Sequence, residues 1–157
     1  MAMNYTSEGP IGGCCFMCTL NAVTNLTVDE ETYIAGTEVF DVGGDLDVSA
    51  ATGTGFGTNG ARFTAPVTGK YQLNFWLELT SIPSNFSYWR MNMKTSNRVM
   101  YTIHGDSRDH NYETLSASWV SDMDASDVAS CMIYQNGGSA QADTFGAQSC
   151  FSGHLCG

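Results

Sequence analysis

Apolar and polar side chains alternate along much of this sequence, most clearly over residues 71–80. Every second residue of this segment is apolar, and most of the residues between them are polar. A period of two puts the apolar side chains on one face of an extended strand, whereas a helix would spread them around its circumference. The apolar set is Tyr71, Leu73, Phe75, Leu77 and Leu79. The pattern therefore predicts a β-strand with one buried face.

Shorter segments with the same alternation predict further strands. Their apolar sets are Phe16, Cys18, Leu20 and Ala22; Trp89, Met91 and Met93; Val99, Tyr101 and Ile103; Leu115, Ala117 and Trp119; and Ala129, Cys131 and Ile133. Residues 33–40 and the end of the chain, with Phe151 and Leu155, complete the series. Turn-forming residues such as Gly, Pro, Asn and Asp separate these segments. About eight short strands of this kind favour an all-β domain of two packed antiparallel sheets.

A glycine-rich segment over residues 49–60 is predicted to be a long loop. Within it, residues 55–60 match G-x-G-x-x-G, the spacing of a dinucleotide-binding turn. That turn binds a pyrophosphate only when a helix follows it, because the helix N-terminus holds the anion. Here the next residues alternate and run into a Pro-Gly turn. We interpret the segment as a loop and expect no cofactor.

Two acidic segments suggest a metal site but fit one poorly. The segment 122–127 resembles the start of a calcium loop, yet Asp127 and Ile133 stand where an EF-hand needs Gly and Glu. We interpret it as a polar turn between strands. A second cluster comprises His104, Asp106, Asp109 and His110, and Asp45 with Asp47 is a third possibility. We interpret the His/Asp cluster as a solvated hairpin loop and expect no metal.

Composition excludes several functions. The chain has 157 residues and a formal net charge of −10, with only six Lys and Arg, which are scattered. Nucleic-acid and membrane-surface binding both need clustered basic residues, so neither partner is expected. No apolar run reaches the roughly 20 residues that span a bilayer, and residues 1–13 do not resemble a signal peptide. No nucleophile, base and acid stand at the spacing of a known catalytic motif, so we expect no enzyme.

The six cysteines fall into two groups, near the two ends of the chain. Cys131 alternates with core residues and is expected to be a buried thiol. The C-x-x-C pair at Cys15 and Cys18 lacks the second pair of a zinc site. In an oxidising setting, we expect disulfides or crosslinks among the terminal cysteines. These are Cys14, Cys15, Cys18, Cys150 and Cys156. Whether such bonds form within a chain or between subunits is left open.

Three motifs resemble the jelly rolls of the complement globular-head and tumour-necrosis-factor-like superfamily. Residues 60–71, GARFTAPVTGKY, are similar to its aromatic, x-P-V-x-G and Tyr sequence between two strands. Residues 40–45 resemble an earlier strand end, and residues 151–155 resemble its last strand, with His154 in place of an aromatic residue. The resemblance implies an antiparallel two-sheet jelly roll that assembles as a homotrimer.

Further motifs resemble the versions of this domain carried by tailed bacteriophages, notably those of cyanobacteria. They are residues 97–101, 122–125 and 133–138. The resemblance covers residues 33–157, so we divide the chain into an N-terminal arm, residues 1–30, with the cysteine cluster and first strand, and a jelly-roll domain, residues 31–157. The location implied is the outer surface of a virion, after synthesis in the host cytoplasm.

The absence of a fibre shaft, a collagen-like repeat or a coiled-coil stalk favours one phage function. We expect a non-enzymatic capsid decoration (cement) protein that stabilises the assembled shell. Its partners would be the major capsid protein and neighbouring copies of itself. The alternative is the receptor-binding head of a tail fibre or spike, with a host glycan or protein bound by residues 50–60 or 105–111. A secreted cytokine-like or lectin-like module is a third hypothesis.

Overall fold

The computed structural model describes residues 13–105 and 111–156, so Asp106, Asp109 and His110 of the proposed His/Asp cluster lie outside it. The described residues form strands and one short 3₁₀ turn, and they contain no helix that could cross a membrane. The strands are β1 (Cys15–Leu20), β2 (Glu31–Tyr33), β3 (Gly36–Val42), β4 (Leu46–Asp47), β5 (Arg62–Thr64), β6 (Gly69–Thr80), β7 (Tyr88–Thr95), β8 (Val99–His104), β9 (Tyr112–Met123), β10 (Val128–Asn136), β11 (Asp143–Thr144) and β12 (Cys150–Leu155).

The strands form two antiparallel sheets. Sheet I has the order β3–β1–β12–β6–β9, and β11 also pairs with β6. Sheet II has the order β4–β5–β10–β7–β8, and β2 also pairs with β10. Most successive strands therefore cross from one sheet to the other, as in a jelly roll. The predicted fold class, an all-β two-sheet jelly roll, is confirmed.

Aromatic side chains join the two sheets in the core. Phe16 of β1 stacks on Phe63 of β5, with ring centroids 4.4 Å apart, and it meets Phe151 of β12 edge-on at 4.9 Å. Phe63 in turn contacts Tyr71 of β6 at 5.4 Å. Such pairs contribute about 0.5–1.5 kcal/mol beyond the area they bury. This cluster therefore fixes which face of β1, β6 and β12 points inward.

Several strand predictions are confirmed. The five apolar residues of β6 are all buried, as are the predicted sets on β7 and β10. Residues 49–60 form no strand, and β5 follows the glycine motif in place of a helix. The strand predicted over residues 33–40 is divided between β2 and β3. The first strand of the predicted arm, β1, is hydrogen-bonded between β12 and β3 inside sheet I.

The burial predicted for β8 is wrong. Val99, Tyr101 and Ile103 alternate as a core-facing set would, but each is more than half exposed. Their strand is the edge of sheet II, and their side chains stand on its outer face beside Lys94 and Arg90 of β7. Alternation reveals that one face is apolar but does not reveal which layer that face meets.

Both described ends of the chain lie at the same end of the sandwich. The amide of Leu155 donates to the carbonyl of Cys14 (3.1 Å), and the amide of Cys156 donates to the carbonyl of Lys70 (2.7 Å). These bonds extend the β1–β12 and β12–β6 ladders by one residue each. The first and last described residues are consequently held together, next to the start of β6.

The inter-sheet aromatic cluster predicts a large difference between two Phe→Ala variants. Phe16→Ala removes a ring that is 1% exposed, and we expect it to lower the free energy of unfolding by about 3–5 kcal/mol. Phe145→Ala removes a ring that is 44% exposed, and we expect less than about 1 kcal/mol. Chemical denaturation at one fixed protein concentration measures both. Equal losses would contradict the assignment of Phe16 to the core.

Candidate interaction surface

The outer face of sheet I carries no charged side chain over most of its area. The strand register places alternate residues of β3, β1, β12, β6 and β9 side by side on this face. We call this set the uncharged face. It consists of Phe40, Val42, Cys15, Met17, Thr19, Cys150, Ser152, His154, Gln72, Asn74, Trp76, Ser116, Ser118 and Val120. Lys70 and Glu78 on β6 bound it at its two ends.

Several of these side chains are large, apolar and exposed. Trp76 is 47% exposed, Phe40 43%, Val42 46% and Val120 57%. They stand on three of the five strands of this face, β3, β6 and β9, in a chain with a formal net charge of −10. Contiguous exposed apolar area on a soluble protein commonly marks an interaction site.

The polar side chains at the centre of the uncharged face bond to one another. Asn74 donates to the Ser152 hydroxyl (3.4 Å), and the Ser118 hydroxyl donates to the Asn74 carbonyl oxygen (2.7 Å). Gln72 also donates to the Ser118 hydroxyl. A polar group that loses water without a partner costs roughly 1–3 kcal/mol. Because these groups already have partners, the face can be covered by another protein at little polar cost.

A second exposed apolar set lies on the opposite outer face, that of sheet II, at the edge of the sandwich. It is the β8 stripe, which we define as Val99, Tyr101 and Ile103. The strand β8 is the edge of sheet II, and its neighbour across the sandwich, β9, is the edge of sheet I. Tyr112 of β9 is also 65% exposed, but its pairing with Thr80 places it on the outer face of sheet I. The alternation of the β8 stripe predicts a core-facing set, and only the three-dimensional strand order reveals that it is a surface.

The loop over residues 49–60 covers part of the outer face of sheet II. The Phe56 ring lies 6.1 Å from that of Tyr33, and the Lys94 ammonium lies 5.0 Å from the centre of the Phe56 ring. Arg62 donates to the Gly57 carbonyl and forms an ion pair with Asp47. Several outward-facing side chains of this sheet are therefore buried. They are Tyr33, Asn92, Ser130 and Met132.

The charges on the outer face of sheet II are largely matched. Glu31 lies 3.4 Å from Arg90 and 3.9 Å from Lys94, and it accepts a hydrogen bond from the Tyr33 hydroxyl at 3.0 Å. The Arg90 guanidinium also lies 4.5 Å from the centre of the Tyr134 ring. Burial, with the adjacent Glu31 carboxylate, raises the pKa of the Tyr33 hydroxyl. The result is a fixed polar network with little unpaired charge.

The acidic segments considered for metals are occupied by other contacts. Asp47 accepts from Ser49 and Arg62, which together lower the pKa of its carboxyl group to about 2. Burial and the neighbouring Asp41 raise the pKa of Asp45, whose partner is the Cys14 thiol at 3.9 Å. Within the described residues, no three His, Cys, Asp or Glu side chains of one chain are placed to hold a metal ion.

The polar turn predicted between β9 and β10 is confirmed. The carboxylates of this turn form hydrogen bonds and an ion pair with nearby protein groups. Asp127 accepts from the Asp124 amide (2.8 Å) and from the Asn97 side chain (2.5 Å). Asp122 forms a two-point ion pair with Arg98 at 2.5 and 2.7 Å. The turn is closed by these bonds, with no need for an ion.

The cysteines differ in accessibility. Cys18 and Cys131 are buried in the core, where no neighbouring subunit could reach them. Cys14, Cys15 and Cys150 are partly buried, and Cys156 is exposed. All six are free thiols within the chain. The four cysteines that are not fully buried could therefore form crosslinks to another subunit. Cys18 could not, because its side chain points into the core, as that of Phe16 does.

Several solved structures have a similar fold. The globular domain of zebrafish complement 1qA protein superposes with a TM-score of 0.62 at 14% identity, covering 92% of this chain and 97% of that one. The crystal structure of murine APRIL at pH 8.0 superposes with a TM-score of 0.59 at 11% identity, covering 90% of this chain and 98% of that one. The crystal structure of murine APRIL at pH 5.0 superposes with a TM-score of 0.58 at 12% identity, and the two coverages are again 90% and 98%. No family model and no curated protein matches the sequence. The chain thus has a jelly-roll fold similar to that of complement and tumour-necrosis-factor-like domains.

Burial predicts the order in which the thiols react. Only the thiolate is nucleophilic, and burial raises the pKa of Cys18 to about 12 and that of Cys131 well above its usual range. With an alkylating reagent and peptide mass spectrometry on the native, reduced protein, we expect Cys156 to react first. Cys18 and Cys131 should react only after unfolding. Labelling of Cys131 at the rate of Cys156 would contradict the structure.

Proposed function

We propose that this chain is a non-enzymatic phage structural protein that trimerises and decorates the outside of the assembled capsid as a cement protein. The observation that carries the proposal is the uncharged face, with its exposed Trp76 and Val120 and its internally bonded polar centre. A face of this kind, on an acidic chain, suits permanent burial against another copy. The resemblance of its sequence motifs to phage versions of the fold supports the viral setting.

A closed ring of identical copies needs two different surfaces that fit each other. The uncharged face supplies one, and the β8 stripe at the edge of sheet II supplies the other. In the proposed trimer, the edge of one copy meets the uncharged face of the next. Both surfaces are apolar and lie on opposite outer faces of the sandwich, and the edge strands that carry part of each, β8 and β9, are neighbours.

The shared position of the two chain ends supports docking on a shell. Cys14 and Leu155 are bonded to each other, as are Cys156 and Lys70, at one end of the sandwich. In a trimer, three such ends face the same direction. A protein that binds the assembled lattice, and not its free parts, stabilises that lattice by mass action. In an oxidising setting, the accessible thiols Cys15, Cys150 and Cys156 could add crosslinks between neighbours.

The alternative is a receptor-binding head of a tail fibre or spike. One observation favours it: the Tyr88 and Tyr134 rings are stacked 6.3 Å apart, with Arg90 over Tyr134. Aromatic rings beside a fixed guanidinium are common at recognition surfaces. Copy number separates the two functions, because a shell presents many equivalent sites and a tail presents few.

A charge placed on the uncharged face should prevent trimerisation. An unpaired buried charge costs about 3–5 kcal/mol, so Val120→Asp should weaken association roughly 100- to 4,000-fold. The matched control is Val67→Asp, in a turn where Val67 is similarly exposed, at 42%. Native mass spectrometry should give three times 16.9 kDa for the parent and the control, and single chains for Val120→Asp. A parent that stays monomeric would contradict the proposal.

The number of copies per particle tests the cement function directly. We expect quantitative mass spectrometry of purified virions to give on the order of hundreds of copies, in a fixed ratio to the major capsid protein counted in the same digest. A non-reducing gel of the same particles reports any disulfide crosslinks. A handful of copies per particle would reject the cement function and favour the receptor-binding head.

A further inference from the structure

Three buried polar atoms on the outer face of sheet II have no hydrogen-bond partner among the described residues. They are the Oδ1 atom of Asn92, the Oγ atom of Ser130 and the Nε atom of Arg90. Asn92 and Ser130 are almost completely buried, at 2% and 0% exposure. Folded proteins pair nearly all buried polar atoms, either with protein groups or with ordered water. These atoms therefore indicate a site for a small polar partner.

The strand register brings the three groups to one place. On β7 and β10, Asn92 pairs with Met132, and Ser130 pairs with Lys94, so Asn92 and Ser130 are diagonal neighbours on the same face. Diagonal neighbours have Cα atoms about 7–8 Å apart, and their side chains come closer. A molecule that forms two hydrogen bonds spans about 4.5–5.5 Å between its partner atoms. One water-sized molecule can therefore contact both residues, with Arg90 next along β7.

The Phe56 ring covers this part of the sheet. It lies 6.1 Å from the Tyr33 ring of β2 and 5.0 Å from the Lys94 ammonium of β7. In sheet II, β10 lies between β2 and β7. The Phe56 ring is consequently placed over β10, the strand that carries Ser130, and it separates the polar atoms from bulk solvent.

The covering loop is fixed at its base and lightly held at its tip. At the base, Gly53 and Tyr33 exchange two backbone hydrogen bonds, of 2.8 and 3.0 Å. The tip, residues 54–58, is attached to the sheet through the Phe56 contacts and one hydrogen bond from Arg62. The tip can therefore lift from the sheet and admit solvent without breaking the strand ladders.

The hydrogen-bonding capacity of the three groups determines which partner fits. The Asn92 Oδ1 atom only accepts, the Arg90 Nε atom only donates, and the Ser130 hydroxyl does both. An anion would face the lone pairs of Asn92, and a cation would face the positive charges of Arg90 and Lys94. A neutral O–H group donates to the first and accepts from the second. The site therefore fits a neutral hydroxyl, of which water is the smallest example.

We propose that Asn92 and Ser130 form a buried hydroxyl-binding site that holds an ordered water molecule and is closed by the tip of the 49–60 loop. A buried water typically makes about three hydrogen bonds, and Asn92, Ser130 and Arg90 offer three groups. The site lies within one chain, so it is independent of the proposed trimer and of the capsid function. It gives the loop a closed state that rests on bound water as well as on Phe56.

The effect of Ser130→Ala on the melting temperature distinguishes a hydrated site from a dry one. If water is bound, the variant removes one of its hydrogen bonds, and we expect the melting temperature to fall by about 2–4 °C. If the hydroxyl is dry and unpaired, removing it raises the melting temperature. The control is Ser84→Ala, at an exposed position, which should stay within about 1 °C of the parent. A rise for Ser130→Ala would overturn the proposal.

Phe56→Ala tests the closure by the loop. Without the ring, Ser130 meets bulk solvent, so Ser130→Ala in the Phe56→Ala background should change the melting temperature by less than about 1 °C. The same loss in both backgrounds would show that the tip does not close the site.

A high-resolution crystal structure of the full-length protein observes the site directly. We expect a water oxygen at hydrogen-bond distance, about 2.5–3.2 Å, from both Asn92 Oδ1 and Ser130 Oγ. A direct hydrogen bond between these two side chains, or an ion in place of water, would overturn the assignment. Neither result affects the proposed trimer, which the oligomer measurements test separately.

Discussion

The stacking of Phe16 on Phe63 is the contact on which the rest of the structure depends. It joins β1 of sheet I to β5 of sheet II at a centroid distance of 4.4 Å, and Phe151 closes the cluster from β12. Because side chains alternate along a strand, an inward Phe16 forces its neighbours Cys15 and Met17 outward. A one-residue slip of β1 would reverse this and put Phe16 in solvent. The core thus determines what the outer face of sheet I displays.

The composition of that face bears on the proposed association of an acidic chain with itself. A net charge of −10 opposes close approach of identical copies. The charges are absent from the centre of the uncharged face, where Asn74, Ser118 and Ser152 satisfy one another. Covering this surface therefore removes apolar area at Trp76 from water without stranding a charge or an unbonded amide. Where the charged side chains lie therefore matters more for association than the net charge of the whole chain.

The sequence predicted the long strands well because each has enough residues to display a period of two. The alternation of β6 is the clearest example, and its five inward residues are all buried. The two- and three-residue strands β2, β4, β5 and β11 are too short for any period. The β8 stripe shows a different limit, because alternation cannot distinguish a core face from an exposed apolar face. The neighbourhood of Cys15 and His154 depends on how β1 and β12 pair, and no local pattern contains that register.

The central claim is that the uncharged face is covered by another copy of the chain in the functional oligomer. Hydroxyl-radical footprinting read by mass spectrometry measures it directly, with Phe145 as an internal reference of similar exposure, 44% against 47% for Trp76. On the intact oligomer, we expect oxidation of Trp76 and Phe40 to be strongly suppressed relative to Phe145, and to return when the oligomer is diluted into single chains. Oxidation of Trp76 that is unchanged between oligomer and single chain would contradict the account.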